Sequence, residues 1–299
     1  MTLAGALTTF GCTRQIVNHD SAWTILTNGH GAEIEIEGVK VHTIDLGSGE
    51  PVVMIHGMAD SAYSWRANAA GLVAAGFRLL LIDQPGLGES SIPPDGWSYA
   101  VEHQAEVILR AVDAAGIGRF RLVGHSLGGA VALQLALRHP ERVSRVVALD
   151  PACFRVSCGF GRATTFLAHV AGTRWFTRLG LRSAYFRPER LDEAAVDEYA
   201  RRLDAPGHMA ALGSICRTFF SPEFDRMTES YGALQLETLL IWGAHDTWHP
   251  LAMGERLHAQ IPRSRLELIA EAGHNPHQER PDLVNPVLVA FLRGEDQPR

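Results

Sequence analysis

Short runs of apolar residues recur along the chain and alternate with stretches that have helical periodicity. Each run has the length of one strand and is apolar throughout, which is typical of parallel strands covered by helices on both faces. The predicted buried strands are residues 51–57, 77–83, 120–123, 143–149 and 237–243, and residues 265–269 form a further predicted strand. The predicted helices are residues 61–75, 99–115, 130–137, 251–260 and 282–292. The pattern predicts an α/β protein with a mostly parallel, doubly wound sheet.

A different pattern precedes the buried strands. Residues 32–37 alternate strictly between apolar and polar side chains, and residues 39–45 repeat this alternation, with Glu37-Gly38 as the predicted turn. Such alternation indicates a strand with one buried and one solvent-exposed face, so these two strands are expected to form an antiparallel hairpin at the edge of the sheet. Residues 1–30 have no clear periodicity and are interpreted as a lead-in.

The alternation of strands and helices stops after the sixth predicted strand. Residues 152–234 contain amphipathic stretches interrupted by glycine and proline, and no buried strand is predicted there. We interpret this part as a helical lid inserted into an α/β core that comprises residues 31–151 and 235–293. Residues 294–299 form a polar tail.

Composition narrows the class of protein. The chain has 299 residues, 46% of them hydrophobic, and a formal charge of −6, so we expect a sizeable core and no nucleic-acid partner. We expect no secretory leader and no membrane association, since no apolar stretch approaches the ~20 residues that span a bilayer. The four cysteines have no metal-ligand spacing and are interpreted as reduced thiols. The expectation is a soluble cytoplasmic monomer or homodimer.

The candidate nucleophile is Ser126 in the sequence Gly124-His125-Ser126-Leu127-Gly128. An apolar strand leads into this sequence and an Ala/Leu-rich helix leads out of it. A serine between glycines in a strand-turn-helix setting is typical of a nucleophile elbow, in which the side chain projects above the edge of the sheet. The following helix offers N–H groups to a developing oxyanion.

A serine hydroxyl needs a base, and the base needs a group that orients it. Reactive groups in such sheets lie beyond the carboxyl ends of the strands. Asp246 and His274 both follow predicted strands, which results in the chain order Ser, Asp, His. Asp150 also follows a strand and is the alternative acid, whereas His277 is an alternative base. His125 adjoins the serine, but its side chain is expected to point away from it.

Two histidines near the end of the fifth predicted buried strand have a spacing that metal sites use. His245 and His249 are four residues apart, a spacing that can hold a metal ion on a helix. Pro250 and the loop setting argue against a helix at this point, so we expect no metal and no cofactor.

Taken together, these motifs resemble those of the α/β-hydrolase superfamily. The resemblance is to its lidded branch, which is related to esterases, epoxide hydrolases, haloalkane dehalogenases and meta-cleavage C–C hydrolases. The matching stretches are His56-Gly57, residues 83–90, the elbow, residues 243–246, Gly273-His274 and residues 279–281. The resemblance implies the α/β-hydrolase fold and an oxyanion hole formed by the backbone N–H groups of Met58 and Leu127.

The nucleophile also narrows the reaction. Related dehalogenases and epoxide hydrolases use an aspartate where this chain has Ser126, so the resemblance favours an acyl-enzyme and a small-molecule ester, lactone or thioester as substrate. Meta-cleavage C–C hydrolases usually have a glycine-rich segment where this chain has Met58-Ala59-Asp60-Ser61. C–C hydrolysis is therefore the alternative, and a ligand-binding receptor on the same fold is a second alternative.

The inserted segment has an uneven distribution of charge. Residues 153–190 contain seven arginines (155, 162, 174, 178, 182, 187 and 190) and one acidic residue, whereas residues 191–233 contain eight acidic residues and four arginines. Two interpretations are open: the two halves pair through surface charges, or one arginine faces the pocket and binds a substrate carboxylate.

Overall fold

The computed structural model describes residues 19–155 and 172–295 of the chain. Eight strands form one sheet in the order β1-β2-β4-β3-β5-β6-β7-β8. These are β1 Gly31–Ile36, β2 Val39–Gly47, β3 Glu50–Ile55, β4 Phe77–Ile82, β5 Phe120–His125, β6 Val143–Leu149, β7 Thr238–Gly243 and β8 Ser264–Ile269.

The pairing of the strands confirms the predicted architecture. β1 pairs with β2 and β2 with β4 in antiparallel orientation. Every other neighbouring pair is parallel. The hairpin turns at Glu37 and Gly38, which both have a positive φ (53° and 77°). The carboxyl ends of the parallel strands therefore lie along one edge of the sheet.

Helices cover both faces of the sheet. They are α1 His19–Thr27, α2 Ala69–Ala74, α3 Val101–Ala114, α4 Leu127–Arg138, α5 Thr173–Ala184, α6 Glu193–Asp204, α7 His208–Thr218, α8 Pro222–Glu229, α9 Leu251–Gln260, α10 Pro276–Glu279 and α11 Pro281–Arg293, with short 3₁₀ helices at Ala62–Ala67, Pro188–Arg190 and Tyr231–Ala233. Buried residues of α3 and α4 belong to one apolar cluster. Those of α2 and α11 belong to another. Two cores separated by the sheet are expected when the strands are apolar on both faces.

Between β6 and β7, the regular elements within the described residues are all helices. Helices α5 to α8 occupy this stretch, and residues 156–171 lie outside the described residues. The division of the chain into a core and a lid stays a prediction.

Two local predictions need correction. The lead-in contains helix α1, whose Trp23 packs edge-to-face against Tyr63 at 5.9 Å between ring centroids. Of the residues of α1, Trp23 and Leu26 pack against a buried core cluster. Two such residues are too few to show a helical period in the sequence. The predicted helix over residues 61–75 is interrupted at Asn68, whose buried side-chain amide donates to the Asn285 side chain (2.6 Å) and to the His277 carbonyl (3.1 Å).

The expectation for the cysteines is also wrong in part. Cys153 is a free, buried thiol, but Cys216 on α7 is disulfide-bonded. Spacing along the chain does not show which cysteines the fold brings within bonding distance. Among the described helices, none is long and apolar enough to cross a membrane.

Candidate active site

Ser126 lies at a sharp turn between β5, which ends at His125, and α4, which begins at Leu127. Its backbone has φ 50° and ψ −115°, a conformation that non-glycine residues seldom adopt. Strand and helix approach so closely that a Cβ on Gly124 would lie 2.2 Å from the Gly128 carbonyl oxygen. The turn therefore requires glycine beside it, and it holds Ser126 at the carboxyl edge of the sheet.

A continuous hydrogen-bonded chain leads away from this serine. The Ser126 hydroxyl donates to His274 Nε2 at 3.0 Å, and His274 Nδ1–H donates to Asp246 Oδ2 at 2.7 Å. All three residues are buried or nearly so. Asp246 follows β7 and His274 follows β8, so the structure brings the serine of the elbow together with the two residues that the strand-end argument selected.

The loop around Asp246 stabilises its ionised form. Asp246 Oδ1 accepts the backbone N–H groups of Trp248 (2.8 Å) and His249 (2.9 Å). Burial by itself would raise the pKa of Asp246, but the electrostatic attraction and hydrogen bond of His274, together with the His249 N–H, outweigh burial and lower the pKa to about 2. The carboxylate is therefore negative at neutral pH, as a partner of an imidazolium must be.

The alternative acid, Asp150, has a different position. It follows β6 and is completely buried, and its Oδ1 accepts the Gly243 N–H at 3.0 Å. Burial and the neighbouring Asp246 carboxylate raise the pKa of Asp150 well above its ordinary value. The raised pKa favours the protonated form of Asp150, and its hydrogen bond to Gly243 supports the start of the loop that carries Asp246.

The rings of His125 and His277 face away from the Ser126 hydroxyl. His125 Nε2–H donates to the His274 carbonyl at 2.8 Å, behind the hydrogen-bonded chain. The His277 ring packs against His125 (4.5 Å between centroids) and Trp65 (4.7 Å). Burial lowers the pKa of both His125 and His277, so both rings are neutral.

His245 and His249 do not act as a pair. The His245 ring stacks on Phe186 at 3.8 Å, whereas His249 Nδ1–H donates to the Asp150 carbonyl at 2.9 Å. Among the described residues, the one group of three possible metal ligands is Asp246, His249 and His274, with ligand atoms within 4.8 Å of one another. Asp246 and His274 of this group are already hydrogen-bonded to each other.

The loop that carries His274 is attached to the helical segment. The His274 N–H donates to the Ala184 carbonyl at 2.7 Å. The Glu279 carboxyl accepts the N–H groups of Gly273 and Phe186, both at 2.8 Å. Sequence reasoning assigned no such function to Glu279, because its five-residue separation from His274 does not show that its carboxyl turns back to the backbone.

A cavity of about 770 Å³ opens beside Ser126. Met58 and Leu127, whose N–H groups the resemblance selects, both line it. Leu127 is the first residue of α4, so its N–H has no acceptor within the helix. Apolar side chains form most of the remaining wall, among them Leu179, Leu181, Leu203, Phe219 and Met253. Such a cavity suits a small, largely apolar ligand.

The charges of the inserted segment pair mainly with one another. On α5, Arg174 and Arg178 bind Glu193 of α6, each at 2.8 Å. Arg187 binds Glu271, which follows β8. Arg155 lines the cavity, but Asp225 binds it through two hydrogen bonds. Arg162 lies outside the described residues. These contacts favour surface pairing over an arginine that is free to bind a substrate.

The chain is similar to known α/β-fold hydrolases. A family described as alpha/beta hydrolase fold matches residues 50–166. The 2-hydroxy-6-oxo-6-phenylhexa-2,4-dienoate hydrolase of Burkholderia cepacia is 28% identical over 273 residues, 86% of this chain and 92% of the relative. The structure of the meta-cleavage product hydrolase of Pseudomonas fluorescens has 25% identity and a TM-score of 0.74, over 89% of this chain and 98% of that one.

An esterase of Thermogutta terrifontis has the same fold, with a TM-score of 0.74 and 24% identity over 88% of this chain and 98% of its own. Relatives that act on different bonds thus share one architecture, so the fold leaves the substrate open. The family match over residues 50–166 and the similarity to these hydrolases confirm the α/β-hydrolase fold and the resemblance to that superfamily.

Proposed function

We propose that this protein is a serine hydrolase that cleaves a small carboxylic ester, lactone or thioester through an acyl-enzyme. One observation carries the proposal: Ser126, His274 and Asp246 form an unbroken chain of hydrogen bonds of 3.0 and 2.7 Å. A nucleophile bonded to a base, with a carboxylate that orients the base, is the arrangement that activates a serine hydroxyl.

In the proposed mechanism, Ser126 Oγ attacks the ester carbonyl while His274 Nε2 takes the hydroxyl proton. Asp246 holds His274 with its proton on Nδ1 and stabilises the imidazolium that forms. The tetrahedral intermediate collapses when His274 passes its proton to the departing alcohol, which leaves the acyl group on Ser126. A water molecule then repeats both steps in the opposite sense, giving up its proton to His274, and releases the carboxylic acid.

The oxyanion of each intermediate is proposed to bind the backbone N–H groups of Met58 and Leu127. Both residues line the cavity beside Ser126, and the positive end of α4 points toward the same place. Loss of one such donor typically lowers kcat by roughly 10²–10³-fold. Because these donors belong to the backbone, side-chain substitution tests them poorly.

The alternative is C–C bond hydrolysis, and the relatives named for this activity are the observation that favours it. Against it, Met58-Ala59-Asp60 occupies the position where the resemblance leads us to expect glycines in such enzymes. A coloured dienoate would bleach on mixing if the alternative holds.

A hydrolase fold that serves as a ligand receptor would instead show single-turnover kinetics with stable retention of its ligand.

The test of the proposal is Ser126→Ala. We expect wild-type protein to hydrolyse p-nitrophenyl esters and to react with a fluorophosphonate probe, and Ser126→Ala to lose both properties. The matched control is Ser98→Ala, an exposed serine, which should keep both. Undiminished turnover by Ser126→Ala, or wild-type protein that neither turns over esters nor reacts with the probe, would contradict the proposal.

A further inference from the structure

A carboxyl group lies in the wall of the cavity beside the candidate nucleophile. Asp60 follows β3 by five residues and lines the same cavity as Ser126, with 8% of its surface exposed. Its Oδ1 accepts the Ser61 N–H at 2.7 Å, and the hydroxyl of Tyr199 is a hydrogen-bond partner of its carboxyl. The mechanism proposed above has no use for this group.

No unpaired cation faces Asp60 across the described part of the cavity. Arg155 is the one arginine or lysine among the described residues that line it, and Asp225 binds its guanidinium through two hydrogen bonds. Half of the Arg155 side chain is exposed to solvent. A substrate carboxylate would therefore have to displace Asp225 to gain a cationic partner.

The arginine nearest to Asp60 lies behind the cavity wall. Arg66 packs over the Tyr63 ring at 4.6 Å and donates to Gln278 Oε1 at 3.1 Å. Its Nη1 is 3.5 Å from the Tyr199 hydroxyl, and Arg66 does not line the cavity. A ligand in the cavity consequently meets the carboxyl of Asp60 and the hydroxyl of Tyr199, and not the guanidinium.

We propose that Asp60 determines the charge preference of the site: it disfavours substrates that bear a carboxylate and binds a hydroxyl or ammonium group on those that enter. This inference rests on the proposed ester hydrolysis and names the substrate class for it. A carboxylate brought against Asp60 in a water-poor cavity is repelled, whereas a donor group gains a charge-assisted hydrogen bond. The site would thereby differ from a dienoate hydrolase, whose named substrate is a carboxylate.

The test compares three p-nitrophenyl esters of equal chain length at pH 8: hexanoate, 6-aminohexanoate and the monoester of adipic acid. For wild-type protein, we expect kcat/KM to be lowest for the adipate ester. Asp60→Asn should raise the adipate-to-hexanoate ratio of kcat/KM roughly tenfold and lower the aminohexanoate-to-hexanoate ratio. Asp60→Ser should shift both ratios in the same directions. Asp95→Asn, an exposed aspartate, is the matched control and should shift neither.

Each outcome decides the question. Ratios that stay at wild-type values in both Asp60 variants, while hexanoate is turned over, would overturn the inference and leave the ester-hydrolase proposal intact. A wild-type preference for the adipate ester that Arg155→Gln abolishes would assign carboxylate binding to Arg155 instead. Failure of wild-type protein to hydrolyse any of the three esters would defeat the ester-hydrolase proposal and this inference with it.

Discussion

The close contact between the loops of Asp246 and His274 makes Gly243→Ala an informative substitution. A Cβ on Gly243 would lie 1.8 Å from the Gly273 carbonyl oxygen, and such contacts essentially never fall below 3.0 Å. The two loops would have to separate by about 1.2 Å, the difference between these distances. If the whole displacement reaches the His274–Asp246 hydrogen bond, now 2.7 Å, it breaks that bond.

We expect Gly243→Ala to lower kcat/KM for a p-nitrophenyl ester by about 10²-fold, because a misplacement of about 1 Å has that effect on catalysis. Overpacking should also reduce the free energy of unfolding by about 1–3 kcal/mol, read from urea denaturation. Gly118→Ala is the matched control, since nothing lies within 4 Å of a Cβ there. If Gly243→Ala keeps wild-type activity and stability, the contact does not hold the two loops in place.

Two further predictions concern buried carboxyl groups. Burial raises the pKa of Asp60 from 3.8 to about 7, so the folded state binds more protons than the unfolded state between these values and loses stability as pH rises through them. Asp60→Asn should therefore stabilise the protein more at pH 8 than at pH 4, by up to about 4 kcal/mol of unfolding free energy. The control Asp95→Asn should show no such trend. If the stability difference between Asp60→Asn and wild type does not change with pH, the reasoning about Asp60 is refuted. Asp150→Asn keeps an acceptor for the Gly243 N–H and should be tolerated, whereas Asp150→Ala should cost about 1–3 kcal/mol; equal destabilisation of both variants would contradict the assignment.

The sheet was predictable from the sequence because local pattern and tertiary environment coincide there. A strand covered on both faces is apolar at most positions, so the buried strands are visible in the sequence as runs of four to seven residues. The hairpin was predictable for the opposite reason, since a strand with one solvent-exposed face alternates strictly between apolar and polar residues. The elbow motif selected Ser126 as the candidate nucleophile. Asp246 and His274 then followed from the rule that the carboxyl ends of parallel strands share one edge.

Elements held by a few distant contacts were not predictable. Helix α1 packs on the core through Trp23 and Leu26, too few residues for a period to be seen. Asn68 interrupts a helical pattern because its amide is bonded to residues more than 200 positions away. The charge that Asp60 brings to the cavity depends on which helix covers it, and the sequence of the loop alone does not contain that information.

The sequence by itself determined the fold, the candidate nucleophile and the strand ends that its candidate partners follow. Only the tertiary structure distinguished Asp246 from Asp150, since both follow buried strands of the same sheet. Asp246 Oδ2 accepts the hydrogen bond of His274 Nδ1 at 2.7 Å, whereas Asp150 Oδ1 accepts that of the Gly243 backbone N–H at 3.0 Å. Hydrophobic pattern reports which face of an element is buried, but hydrogen bonds depend on how elements far apart in the chain pack against each other.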